Sequence, residues 1–235
     1  MTTAISRSMI EYDILATGSK GNAVVVNNKL LIDCGVPYKS LWPYVPGLKV
    51  VFLTHIHSDH FKRSTISRLI KERPTLRFGC GRWLVRPLRD AGVPAKNIDI
   101  LTDGTSYTYG KLCTVIPVPL SHDVPNQGYK IHFPTGEKMI YATDTGNLNG
   151  ITAYHYDLFL IEANHDEEEI KRKIKEKQVE GQFPYEKRAA WTHLSVQQAN
   201  DFIYKNAKQS SVYVYMHAHE EEDDENADNS EHTTV

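Results

Sequence analysis

The sequence predicts an α/β fold on two observations. Short β-branched, apolar runs alternate with helix-patterned segments from Ile10 onward, and several of these runs end in a loop that opens on a histidine or a carboxylate. The chain has 235 residues, 40% hydrophobic, 10% aromatic and 24% charged, which excludes a fibrous, coiled-coil or wholly disordered class. At roughly 100–200 residues per domain, one large domain with a sizeable core is expected.

Residues 10–15, 23–26 and 29–32 read as strands. The segment 17–22, Thr-Gly-Ser-Lys-Gly-Asn, is a turn-rich hinge between the first two, and Asn27-Asn28 suits a tight hairpin because Asn tolerates positive φ. Asp33 then stands at the end of an apolar strand, a place where a carboxylate rarely serves packing alone. Residues 49–53 form a strand that enters a His-rich loop, and 63–71 follow with helical spacing at Ile66, Leu69 and Ile70. Residues 77–80 read as a strand and 81–91 as a helix stopped by Gly92 and Pro94. Further strands are expected at 98–101, 106–109, 112–118, 128–133, 138–142, 158–161 and 212–215. Ser195 is a plausible N-cap for a helix over 194–205. Residues 166–180, with acids first, bases later and Gly181 beyond, also read as a helix. Its Ile170 and Ile174, four apart, would suit a surface helix, an active-site arm or a homodimer contact equally well.

The 27 Lys and Arg and 29 Asp and Glu are unevenly placed. Eight acids and no Lys or Arg fall in residues 220–235, which read as a disordered acidic tail. Residues 1–219, the expected folded domain, therefore hold 27 basic against 21 acidic residues. A basic body suits an anionic substrate, and ten basic residues between Lys62 and Lys96 face only Glu72 and Asp90; solvated helix faces are the competing explanation. No apolar run approaches the roughly 18–20 residues of a membrane helix, and Met1 to Ser8 show no secretory pattern. The expected location is the cytoplasm, with no membrane partner. Cys34, Cys80 and Cys113 lack C-x-x-C spacing, so buried side chains are expected rather than disulfides or a cysteine zinc site.

The segment that carries chemistry is Thr54-His55-Ile56-His57-Ser58-Asp59-His60. Side chains of an extended segment alternate, so His55 and His57 point the same way, while Asp59 and His60 open the next turn toward a second position. Two adjacent metal sites sharing one loop is the economical reading. Imidazole and carboxylate suit zinc, manganese or iron. Further ligands are sought at strand ends, where His122, Asp144 and His217 stand.

This H-x-H-x-D-H loop, with a later His, an Asp in Ala142-Thr143-Asp144-Thr145-Gly146 and a final His, resembles the metallo-β-lactamase superfamily. The resemblance runs from about Ile10 to His219. Residues 15–22, 31–35, 162–166 (Glu-Ala-Asn-His-Asp) and 192–195 (Thr-His-Leu-Ser) together resemble its YycJ/WalJ-like exonuclease branch. The resemblance implies a four-layer αβ/βα sandwich of two mixed sheets with outer helices. It implies that His55, His57 and His122 hold one divalent ion, that Asp59, His60 and His217 hold a second, and that Asp144 bridges them. Asp33 would orient the His loop. Met216-His217-Ala218-His219 departs from the branch pattern, so His219 competes with His217 as last ligand, and the charged stretch 167–182 departs in length or charge.

The implied activity is a dinuclear metal-dependent phosphodiesterase, a nuclease of the DNA-exonuclease kind, in which a hydroxide bridging two ions, zinc before manganese or iron, attacks phosphorus. Asp59 would orient that hydroxide, and His193 or His165 would protonate the leaving alkoxide. The partner is a nucleic acid or nucleotide substrate. The alternatives are a cyclic-nucleotide phosphodiesterase that degrades a signal, as in phage anti-defence, a lactamase- or thioesterase-like hydrolase, and an inactive nucleic-acid-binding member. His132, His155 and His232 are read as structural or solvent-exposed.

Overall fold

The computed structural model describes residues 10–184 and 186–217. The expected acidic tail, His219 and His232 lie outside them. One sheet contains β1 (Tyr12–Ala16), β2 (Ala23–Val26), β3 (Leu30–Ile32), β4 (Val50–Leu53), β5 (Arg77–Cys80) and β6 (Ile98–Ile100), in that spatial order. The second contains β7 (Tyr107–Tyr109), β8 (Cys113–Leu120), β9 (Asn126–His132), β10 (Lys138–Ala142), β11 (Tyr156–Glu162) and β12 (Ala207–Met216), again in order. Both sheets are mixed. Strands β3 to β6 run parallel, as do β10 to β12, and the remaining neighbours are antiparallel.

The central strands β2 (AVVV), β3 (LLI) and β4 (VVFL) are wholly apolar because both of their faces are covered. Val24, Val26, Leu30, Ile32 and Phe52 meet Tyr129, Met139, Tyr141 and Leu160 between the sheets. The alternate residues Val25, Leu31, Val51 and Phe78 face outward and are covered by α2 (Arg63–Glu72) and α3 (Val85–Asp90), beyond the short α1 (Tyr38–Leu41). On the opposite outer face Ile140, Phe159 and Ile161 are covered through Ala199, Phe202 and Ile203 of α6 (Val196–Asn206). Helix, sheet, sheet, helix is the four-layer sandwich that the sequence led us to expect. The other helices are α4 (Glu167–Val179) and α5 (Glu186–Thr192).

Local signals account for most boundaries. Asn27 and Asn28 both adopt positive φ, 50° and 53°, in the β2–β3 turn. Ser195 caps α6 in a reciprocal capping box with Gln198, and the Asp166 carboxylate caps α4 by accepting from the Glu168 and Glu169 amides. The helix expected over 81–91 is a correction: Arg82–Leu84 is a 3₁₀ turn and α3 begins only at Val85. Pro87 has no N–H and sits in the first turn of α3, where none is required. The cysteines are buried and unpaired, and burial pushes the Cys80 and Cys113 thiols up to about 12. Among the described residues no helix is long and apolar enough to cross a membrane.

Candidate metal centre

The carboxyl ends of the parallel strands meet at one edge of the sandwich, the usual place for ligands in α/β sheets. Asp33 and His217 directly follow β3 and β12, Asp144 follows β10 after one intervening residue, and all three are left-handed, with φ of 59° (Asp33), 58° (Asp144) and 54° (His217). This conformation is uncommon outside glycine and concentrates at functional sites. The His217 amide is tied to Thr17 Oγ1 at 2.7 Å and its carbonyl accepts from Asn164 Nδ2 at 3.0 Å.

The His loop is held by the two loops before it. The Asn22 amide donates to the Asp59 carbonyl at 2.6 Å, the Gly35 amide to the Asn22 carbonyl at 2.9 Å, and the Cys34 amide to the His60 carbonyl at 2.8 Å. A side chain at Gly35 would place its Cβ 1.6 Å from the Asp59 carbonyl oxygen. Gly35→Val is therefore expected to destabilise the fold by about 3 kcal/mol, as overpacking at a rigid backbone contact does, and to displace the His loop. The urea midpoint checks this; a midpoint equal to that of the unsubstituted protein contradicts it.

Asp33 organises the loop from beneath. Its fully buried carboxylate accepts from the Thr54 amide at 2.9 Å, from Thr54 Oγ1 at 2.9 Å and from the Tyr141 hydroxyl at 3.2 Å, and it meets His60 Nδ1 at 2.7 Å. Thr54 Oγ1 in turn lies 3.0 Å from His55 Nδ1. These contacts fix both imidazoles by one ring nitrogen and leave the other nitrogen of each for the site.

Three ligand groups result, each with donor atoms within 4.8 Å of one another: His55 with His57 and His122; His55 with His60 and Asp144; and Asp144 with Glu162, His193 and His217. Asp144 belongs to two of them. Its Oδ2 lies 2.9 Å from His60 Nε2 and 3.2 Å from His217 Nδ1, and its Oδ1 lies 3.9 Å from His122 Nε2. Asp59 is in none of the groups, but its Oδ2 is 3.5 Å from His60 Nε2 and is steadied by Asn22 Nδ2 at 3.3 Å. His165 is in none, and its carbonyl accepts from the Val196 amide at the start of α6. His132 contacts the Tyr156 hydroxyl at 2.7 Å, a structural bond.

Two carboxylates had drawn no role from the sequence. Glu162 is fully buried at the end of β11, accepts from the Thr145 and Leu194 amides, and meets His193 Nδ1 at 2.6 Å. The signal that singled out Asp33, an acid closing an apolar strand, was equally present there. Asp123 lies 3.2 Å from His122 Nε2 and 3.4 Å from His57 Nε2, and Arg188 binds its other oxygen. Only adjacence to His122 marked it in the sequence.

The electrostatics fit a cation. Burial, reinforced by the neighbouring His60, pulls the His55 imidazole down to about 2, so the ring is neutral. Its Nε2 is a buried polar atom without a hydrogen-bond partner, which native proteins seldom tolerate. Burial opposes ionisation of Asp144 and His60 alike, but Asp144 with Asp33 holds His60 well above its ordinary value, and His60 with His217 holds Asp144 well below the carboxylate range. A neutral imidazole with an orphaned nitrogen, beside a carboxylate that stays ionised, is a donor set for a divalent metal.

A family model described as a beta-lactamase superfamily domain matches residues 28–217, a span that contains every one of these groups. The chain belongs to the beta-lactamase superfamily. No curated protein sequence matches it. Among solved structures it is similar to the metallo-beta-lactamase fold protein YhfI from Bacillus subtilis, at 15% identity and a TM-score of 0.66 over 88% of this chain and 85% of that one. It is also similar to the short form of human tRNase Z, at 17% identity and a TM-score of 0.63 over 89% and 92% of the two chains. A diphosphatase of the PhnP family follows, at 16% identity and a TM-score of 0.57 over 88% and 86%. These likenesses establish the metallo-beta-lactamase fold. Members of this superfamily are mostly metal-dependent hydrolases, and the candidate His and Asp cluster of this chain lies where its strand ends converge.

Proposed function

We propose that this beta-lactamase superfamily chain is a dinuclear metal-dependent phosphodiesterase, a nuclease of the YycJ/WalJ-like, DNA-exonuclease kind, with zinc as its metal. The observation that carries the reading is the shared position of Asp144, whose carboxylate faces His122 on one side and both His60 and His217 on the other. A tRNase and a diphosphatase among the similar structures support phosphate chemistry, as does the basic body of the chain.

Divalent ions bound there would lower the pKa of water toward neutrality and neutralise charge on a phosphoryl oxygen. His55, His57 and His122 would hold one ion, His60, His217 and Asp59 the other, and Asp144 would join both. Glu162 would accept a hydrogen bond from His193 Nδ1–H, fixing the ring and favouring its protonated form, whose Nε2–H would protonate a leaving alkoxide. His193 fits this role better than His165 because it belongs to the Asp144 group.

The test is hydrolysis of single-stranded DNA, duplex DNA, pre-tRNA, cyclic mononucleotides and cyclic dinucleotides by metal-reconstituted protein, with His60→Ala beside it. Metal-dependent cleavage of polynucleotide that is lost in His60→Ala is expected. Turnover confined to cyclic nucleotides would overturn the nuclease assignment while retaining the phosphodiesterase one, and no turnover of any diester would overturn both.

A further inference from the structure

Trp191 is 85% exposed, although burying an indole is among the larger apolar gains open to a side chain. Trp42, also exposed, at least meets the edge of Tyr38, whereas Trp191 has no ring contact among the described residues. Its backbone is nevertheless pinned to the metal centre on two sides. A Cβ at Gly146, two residues after Asp144, would lie 2.2 Å from the Trp191 carbonyl oxygen, so the strands' end and this segment are in contact. The next carbonyl, that of Thr192, meets His122 Nδ1 at 3.1 Å, and His193 follows. The residue that carries this exposed indole is thus anchored by its backbone beside Gly146 and His122.

Charge at the same place points to the ligand. Lys187 is exposed, four residues before Trp191 on α5, and makes no ion pair among the described residues. Side chains four apart on a helix are neighbours, with Cβ atoms roughly 5–6 Å apart. The intervening Arg188 is already engaged by Asp123, so the ammonium of Lys187 is the cation open to a ligand. A flat aromatic beside a cation, at the rim of a phosphodiester-cleaving centre, matches one nucleotide: base on the indole, phosphate on the ammonium.

We infer that Trp191, with Lys187, forms a base-stacking platform at the rim of the metal centre that selects single-stranded nucleic acid. The inference rests on the phosphodiesterase reading and adds strandedness to it, because an indole can stack on a base only when that base presents a free π-face. A fully paired duplex offers only its terminal base pairs.

The experiment measures binding by the full-length protein after EDTA treatment, at one fixed low salt concentration. The probes are fluorescein-labelled oligodeoxyadenylate and a blunt duplex of the same length, read by anisotropy. Trp191→Ala is expected to weaken single-strand binding about 5- to 150-fold, the range for loss of one base-aromatic stack, and Trp191→Phe to recover most of it. Duplex binding should shift less than twofold in either variant. Equal losses on the two probes, no loss at all, or no recovery in Trp191→Phe would overturn the platform. Cleavage of the same oligonucleotide by reconstituted protein separates the two ideas. Trp191-dependent binding without metal-dependent cleavage would remove the phosphodiesterase reading and keep the platform, and cleavage with Trp191-independent binding would do the reverse.

Discussion

Asp144→Asn is expected to lower metal-dependent hydrolysis by more than the roughly 10–100-fold that loss of a metal-orienting partner costs, and to remove at least one equivalent of bound metal. Asp144 is the carboxylate placed between His122, at 3.9 Å, and the pair His60 and His217, at 2.9 and 3.2 Å. Asn is close in shape and tolerates the left-handed backbone that Asp144 adopts at φ 58°. The substitution therefore removes charge and one ligand oxygen while leaving the β10 turn intact. Metal content by elemental analysis and rates on a cleaved diester check this together. Full metal content with activity within tenfold of the unsubstituted protein would show that Asp144 joins nothing.

Asp33→Asn is expected to act through a different route. Asp33 accepts from Thr54 twice and meets His60 Nδ1, all in a fully buried setting. Replacing one oxygen by an NH₂ group faces a donor with another donor and removes the counter-charge of a buried ion pair, a loss of about 3–5 kcal/mol. Metal affinity should fall about 10–100-fold because His60 and, through Thr54, His55 lose their orientation. The readouts are a urea midpoint without metal and a competition titration with a chelator. An unchanged midpoint with unchanged affinity would contradict the role given to Asp33.

Much of this centre was legible because its chemistry obeys local rules. His55, His57, Asp59 and His60 announce themselves by density within one loop, and Asp33, Asp144 and His217 by following apolar strands. The Asn27-Asn28 turn and the Ser195 cap were readable for the same reason: each is set by a few neighbouring residues. What stayed hidden depends on tertiary approach. Glu162 had the strand-end signal but no visible partner, since His193 lies 31 positions away and reaches it only when α5 folds back. Asp123 gains meaning from Arg188, 65 positions later. Helices α1 and α5 span four and seven residues, too few to show a period. The sandwich itself followed from motif resemblance, because strand periodicity alone does not say which strands share a sheet.

The reading also explains why three site residues tolerate strained backbone. Left-handed φ at Asp33, Asp144 and His217 turns each chain sharply at a strand end, so that the side chain enters the site rather than the sheet face. Such conformers cost of order 1–3 kcal/mol each, and the buried cores on both faces of both sheets supply the excess stability that holds them.

The central claim is that two ions share this centre, and the most direct test is the metal stoichiometry of the full-length protein, purified without chelator and dialysed against trace zinc. Two equivalents per chain are expected, falling to one or fewer in His60→Ala. A single equivalent that His60→Ala leaves unchanged would contradict a dinuclear site, and with it the part assigned to Asp144.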